Sequence, residues 1–310
     1  MTDAHAVLDH PLGVYFDLDD AAYHADVALG SGDIRRLAVS PFDFWWESRF
    51  NPNRKPEELT PALIVGRAVH TAVLEGRSKF EKLYGPTDFS GATKDGKAER
   101  ERLAKFGMTP LKREDYDSVL LASTMIRANP HLADAFQGGA PEVSVFWERD
   151  GIKRKCRFDF LKPRAIVDLK SIRNARDIDF REACRRRFAE GRFDVQAAHY
   201  REGRIAMRDL VAAGAVSGNV DHDLLRKAIA AGSQFAFVYV YWQAEGAPLT
   251  WATMLSPENP IIGYGRATID YADRNWLEFK DRFGLSTPWV LAERIEELDQ
   301  TELPPWYGRR

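Results

Sequence analysis

The stretch CRFDFLKPRAIVDLKS, residues 156–171, constrains this chain more than any other. It reads as two short, mostly apolar strands joined at Lys162–Arg164, yet Asp159, Asp168 and Lys170 stand inside them. Successive strand residues point to opposite faces. Arg157, Asp159 and Leu161 therefore share one side of the first strand, and Cys156, Phe158 and Phe160 the other. In the second strand Ile166, Asp168 and Lys170 lie opposite Ala165, Val167 and Leu169. A tight symmetric turn pairs 161 with 166, and hence 159 with 168. Directly opposed Cβ atoms are about 4.5–5.5 Å apart. Two carboxylates that close repel, and removal from water sharpens the repulsion.

A positive charge must answer them. Lys170 is one, about 6–7 Å along the same face. A hard divalent cation such as Mg²⁺ (Mn²⁺ being its natural substitute) is a better one, because it prefers carboxylate oxygen and water. A metal on Asp159 and Asp168 would lower the pKa of its water and polarise a phosphoryl oxygen. A lysine beside it can position or deprotonate that water, or neutralise charge in the transition state. The plainer reading is an edge hairpin whose charges face solvent. Asp-x-Lys alone would fit that; Asp159 together with Asp168-x-Lys170, on consecutive strands backed by apolar faces, favours a site.

At 310 residues and 45% hydrophobic content, the chain can bury one large core or two modest ones. No run is long and apolar enough to cross a bilayer. The start, MTDAHAVLDH, lacks the basic and apolar regions of a secretion signal. Two cysteines, Cys156 and Cys184, supply neither a disulfide framework nor four thiolates for an iron–sulfur cluster. A cytoplasmic setting, in a bacterial or phage-infected cell, is the expectation. The net charge of −2 hides an acidic first 30 residues and an arginine-rich 149–208, a segregation compatible with a polyanion partner.

Helices are expected near 32–39, 41–49, from Pro61 to Gly76, at 113–128 and, briefly, at 130–137. Residues 85–113 are polar and partly helical. "PEVSVFWERDG" alternates like a strand and ends in a turn at Arg149-Asp150-Gly151. After the two central strands come helices at about 177–190 and 193–213, an inserted segment at 214–233, strands at 234–242 and 249–255, and a helix at 258–283. The tail ELPPWYGRR reads as extended, and DHD at 221–223 as a helix cap rather than a ligand set. No P-loop or dinucleotide fingerprint is present.

Asp, a short gap, then Asp-x-Lys on a hairpin resembles the PD-(D/E)XK nuclease superfamily, with Phe158 in place of the leading proline. "YHADVALGSGDIRRLAVSPFDFWW", "LIVGRAVHTAVLE", "EVSVFWERDGIKRKCRFDF", "IVDLKS", "VQAAHY" and "LPPWYG" follow in order. Together they resemble the nuclease domain of RecE-type exonucleases (exodeoxyribonuclease VIII) from about Val14 to the end. The resemblance implies an α/β, restriction-endonuclease-like core of a central mixed sheet flanked by helices, at about 141–285. A helical N-terminal elaboration (about 14–137) and a tail (286–310) would complete one domain over 1–310. It implies His70, Asp159, Asp168 and the Leu169 carbonyl as metal ligands, and catalytic roles for Asp159, Asp168, Lys170, Gln196 and Tyr200, with Glu142 secondary. Glu75, five residues from His70, reads as off the same helical face and structural. Arg157, Arg173, Arg176, Arg185, Arg186 and Arg187 are plausible phosphate contacts, and His199 reads as a surface residue. The implied activity is Mg²⁺-dependent, ATP-independent 5′→3′ digestion of linear double-stranded DNA, leaving 3′ single strands. The implied partners are a RecT-type annealing protein and further copies of the chain in a ring, a tetramer or trimer. A PD-(D/E)XK endonuclease, or a catalytically silent DNA-end-binding protein, stays open beside it; a Cas4-like nuclease lacks its cysteine cluster here.

Overall fold

The computed structural model describes residues 7–55, 60–174, 178–290 and 295–307. Before the central strands come β1 (Gly13–Tyr15), α1 (Asp20–Ala25), α2 (Ser31–Val39), α3 (Pro41–Glu47) and α4 (Pro61–His70). They are followed by α5 (Arg77–Leu83), β2 (Tyr84–Thr87), α6 (Lys94–Lys105), β3 (Thr109–Lys112) and α7 (Arg113–Ala128). The sheet is built mainly from β4 (Ala140–Arg149), β5 (Ile152–Lys162), β6 (Ala165–Ile172), β7 (Val216–Ser217), β8 (Ala236–Gln243) and β9 (Thr250–Leu255). Between and after these lie α8 (Phe180–Glu190), α9 (Phe193–Ala212), α10 (His222–Ala230) and α11 (Ile261–Phe283).

Seven strands form one mixed sheet in the order β7-β1-β4-β5-β6-β8-β9, and β2 and β3 form a separate parallel pair. The chain is therefore of the expected α/β class. β4 and β5 are antiparallel neighbours joined through Asp150 and Gly151, whose φ angles of 52° and 73° suit the primed turn that matches strand twist. β6 and β8 are parallel, with α8, α9 and α10 making the crossover, and β9 closes antiparallel on β8.

Helix signals act where they were read. Ser40 caps α3 with Pro41 in its first turn, Thr60 and Pro61 do the same for α4, and Asp221 caps α10. The segment 130–137 differs from expectation. Its bonds run Leu132 to Asn129, Ala135 to Leu132 and Gln137 to Asp134, successive three-residue turns that end at Gly138 instead of a helix. Near the C-terminus, Gln300–Glu302 forms a short 3₁₀ turn, so that stretch is not wholly extended. β1 and β7, three and two residues long, lie below what strand periodicity can detect.

One face of the sheet packs on α2, α9 and α11 around Phe158, Leu161, Ile166, Phe237 and Tyr239. The other packs on α4 and α7 around Phe160, Val167, Leu169 and Val240. α9 and α11 cross so closely that a Cβ on Gly265 would meet the Asp194 carbonyl at 2.1 Å.

His199, expected at the surface, is instead fully buried. Nε2 lies 2.9 Å from the Lys155 carbonyl, and the ring packs on Trp147 at 4.8 Å. Burial, aided by Arg154, pushes its pKa down to about 3. The unfolded chain thus takes up this proton at higher pH than the folded one, so the stability is intact above the unfolded value and lost as pH falls. Between about pH 6.5 and pH 3 the loss attributable to His199 should approach about 1.4 kcal/mol per pH unit. A His199→Gln variant, able to keep the donor, should show a flatter pH dependence in urea midpoints.

Candidate active site

The β5–β6 register is the expected one, with Leu161 opposite Ile166. It lasts only for residues 160–162 against 165–167. Beyond that point β5 stays with β4 and β6 stays with β8, so the two strands part at Asp159. The Asp159 carboxylate occupies the fork, where Oδ2 accepts the Leu169 N–H at 2.8 Å.

The simple alternation fails here in one respect. Phe160 lies with Val167 and Leu169 on the face opposite Cys156 and Phe158, not beside them. The cause is a broken rung between β4 and β5. Pro141 pairs with Phe160 and Val143 with Phe158, whereas Glu142 and Asp159 between them do not pair. Glu142 adopts φ 53°, a left-handed conformation unusual for a residue with a Cβ. The pleat inverts across this position on both strands, and the two carboxylates are displaced from the regular ladder. Interruptions of this kind serve to re-aim side chains.

Asp168 is fully buried, and Oδ2 accepts from Gln196 Nε2 of α9 at 2.6 Å. Its Oδ1 is ion-paired with the Lys170 ammonium. Lys170 Nζ in turn lies 5.1 Å from the centre of the Phe193 ring. Burial, then the Asp159 charge, raises the Asp168 carboxyl well above the usual range, while Lys170 and Gln196 oppose the shift. Tyr200, one turn after Gln196, packs edge-on against Phe158 at 5.9 Å. Its phenol is held far up by burial and by the Asp168 and Asp159 charges, so it stays protonated and can donate.

α4 brings His70 to the same fork. Nε2 lies 3.1 Å from the Leu169 carbonyl and Nδ1 3.7 Å from Asp159 Oδ2. Immediately afterwards Thr71–Glu75 forms a π-helical turn, closed by Gly76 N–H to the Thr71 carbonyl at 3.1 Å. An i→i+5 ladder brings the fifth residue back toward the starting face. Glu75, read from the α-helical period as pointing elsewhere, thereby joins the charges acting on Glu142. The carboxyl of Glu142 is raised by burial first, then by Asp159, with Glu75 and Asp20 adding to it and Arg157 opposing.

The arginines divide. Arg157 is not a surface contact. It is buried, donating to Ser144 Oγ at 2.8 Å, Asp20 Oδ1 at 3.1 Å and the Leu18 carbonyl at 2.9 Å, with its guanidinium over the Tyr23 ring. Those bonds tie α1 to the sheet and leave no free fork for phosphate. Arg173, Arg185, Arg186 and Arg187 are exposed. Of these, Arg173 faces Glu245, Arg186 pairs with Glu182, and Arg185 and Arg187 lie over Trp251 and Phe193. Arg176 lies outside the described residues.

Among the described residues, no three His, Cys, Asp or Glu side chains already converge to hold a metal ion. His70 and Asp159 approach from one side, while Asp168 is turned toward Lys170 and Gln196. The donor chemistry nevertheless fits a hard divalent cation. Carboxylate oxygens crowd one fork, and one of them, Asp168 Oδ1, is buried with the Lys170 ammonium as its partner.

Fold and site together define a nuclease-type PD-(D/E)XK core, two carboxylates and an Asp-x-Lys where two strands part. Residues 47–210 match the family described as a PDDEXK-like domain of unknown function, DUF3799, and the chain belongs to that family. The chain also superposes on a crystal structure from Eubacterium rectale described as a "putative exonuclease". That likeness has a TM-score of 0.56 at 14% identity, over 91% of this chain and 97% of that one, and bears on the fold. No curated protein matches.

The backbone of Glu142 yields a test. Glu142→Gly removes both the left-handed strain and one crowded carboxylate, and should raise stability by about 1 kcal/mol. A higher melting temperature is the expected result; an unchanged or lower one would show that neither strain nor crowding weighs on the fold.

Proposed function

We propose that this chain is a metal-dependent deoxyribonuclease that hydrolyses phosphodiester bonds without ATP. The observation that carries the reading is the fork itself. Asp159 and Asp168-x-Lys170 meet where β5 and β6 part, with Gln196 on one carboxylate and His70 beside the other. Mg²⁺ held by Asp159, Asp168, the Leu169 carbonyl and His70 would supply an acidified water and a polarised phosphoryl oxygen.

The chain's own residues supply the rest. Lys170 presents an ammonium beside Asp168, placed to orient the attacking water or offset charge on the phosphate. Gln196 fixes the rotamer of Asp168 through its 2.6 Å bond. Tyr200, kept protonated by burial and by the two carboxylates, retains its phenol as a donor beside them. The His70 contact with the Leu169 carbonyl holds α4 against the reactive strand. Glu142 stands as an outer carboxylate able to take bound water.

Digestion in the 5′→3′ direction from ends of linear duplex DNA rests on the RecE-type resemblance. So do a 3′ single-stranded product for a RecT-type annealing partner and a ring-shaped homo-oligomer. The assay is release of acid-soluble nucleotides from 5′-labelled linear duplex with Mg²⁺, beside the same DNA closed into a circle. Linear DNA alone should be consumed, and Lys170→Ala should slow release by at least about 100-fold. Equal cutting of the circle would mark an endonuclease. No release by the wild-type protein, with DNA still bound, would leave a silent binding protein.

A further inference from the structure

Outside the fork, an open groove of about 1960 Å³ has a lining that includes Arg35, Arg67, Gly191, Arg192, Asp20 and Tyr200. Tyr200 and Arg67, the latter one turn ahead of His70, join the groove to the candidate active site. Most of its cations are already neutralised. Arg49 is bound to Asp33, Arg36 faces Glu47, and Arg192 holds Asp194 in a two-pronged pair.

Arg35 is different. Its guanidinium, half-buried in the groove, donates from Nη1 to the Gly191 carbonyl at the end of α8. Among the described residues no carboxylate lies within ion-pair distance of Arg35 or of Arg187. Arg187 lies one turn before Gly191, whose N–H donates to the Arg187 carbonyl at 2.9 Å. The Arg187 guanidinium stands 5.6 Å from the centre of the Phe193 ring, and Lys170 Nζ stands 5.1 Å from the same ring. Lys170 and Arg187 thus share the Phe193 ring, and Arg187 and Arg35 are linked through the backbone of Gly191.

A guanidinium partly removed from water, with like charges for neighbours, is costly unless an anion completes it. Burial, and then Arg187 and Arg36, depress Arg35 accordingly. Arginine's planar fork matches the two free oxygens of a phosphodiester, and backbone contacts of this kind carry no sequence preference.

Building on the nuclease reading above, we infer that Arg35, with Arg187 beside it, clamps a backbone phosphate of the nucleic acid flanking the phosphate at Lys170. Arg35 is a positioning residue. It holds the strand in register while bond cleavage belongs to the fork.

The test is fluorescence anisotropy of a labelled linear duplex in EDTA, titrated with KCl from about 50 to 200 mM. Wild-type protein is compared with Arg35→Ala, Arg35→Lys and Arg187→Ala, each checked by melting temperature. Arg35→Ala should weaken binding about tenfold and reduce the slope of log affinity against log salt by about one. Arg35→Lys should recover the slope but only part of the affinity, since the fork is lost. Arg187→Ala should lose slope as well. In the Mg²⁺ assay the Arg35→Ala change should fall on KM more than on kcat. An Arg35→Ala protein with wild-type affinity and slope overturns the inference alone. Should that variant not fold, wild-type behaviour of both Arg35→Lys and Arg187→Ala overturns it instead. A wild-type protein that neither binds the duplex nor releases nucleotides removes the nuclease reading, and the clamp with it.

Discussion

At the centre of the molecule two strands stop bonding to one another, and a side chain takes over the bond they give up. The Leu169 N–H, which a continuing ladder would hand to the β5 backbone, goes to Asp159 Oδ2 at 2.8 Å. The neighbouring Leu169 carbonyl is met by His70 at 3.1 Å. One residue on β6 therefore anchors both a carboxylate from β5 and an imidazole from α4. Buried backbone groups must find partners, and this requirement is what draws the polar side chains together between two apolar cores. Without the fork, Asp159 would project from an ordinary sheet face.

The cost of that arrangement is electrostatic. Asp168 lies fully buried and Glu142 sits on a left-handed backbone, each raised by burial and by Asp159. Lys170, Gln196 and Arg157 offset the charge without cancelling it. Packing the same positions with valine would be more stable. Strained backbone and uncompensated carboxylates gathered in one place are what a reactive centre requires and a purely structural hairpin avoids.

Much of this was legible because it is local. Asp159, Asp168 and Lys170 fall within twelve residues, and a short turn sets their register. The α/β class, the central strand pair and most helices follow from period and capping for the same reason. His70 and Gln196 join the site over separations of 99 and 28 residues, and only the family resemblance singled them out. Three features lay beyond any local rule. The pleat inversion at Glu142 and Asp159 moved Phe160 to the other face. The π-turn after His70 re-aimed Glu75, where a 3.6-residue period pointed it away. Arg157 and His199 carry polar side chains into the interior, and their partners (Ser144 and Asp20, and the Lys155 carbonyl) come from elsewhere in the chain.

The crossover from β6 to β8 also shapes how the protein comes into being. β4, β5 and β6 are consecutive and can pair early through short loops. The parallel rungs that fix Asp168 beside Tyr239 require the whole of α8, α9 and α10 to be laid down first. Non-local pairing of this sort is slow to close. The hairpin that bears the carboxylates closes through a short loop, whereas the contacts that orient them depend on a crossover of three helices, so the reactive geometry rests on a non-local pairing in the sheet.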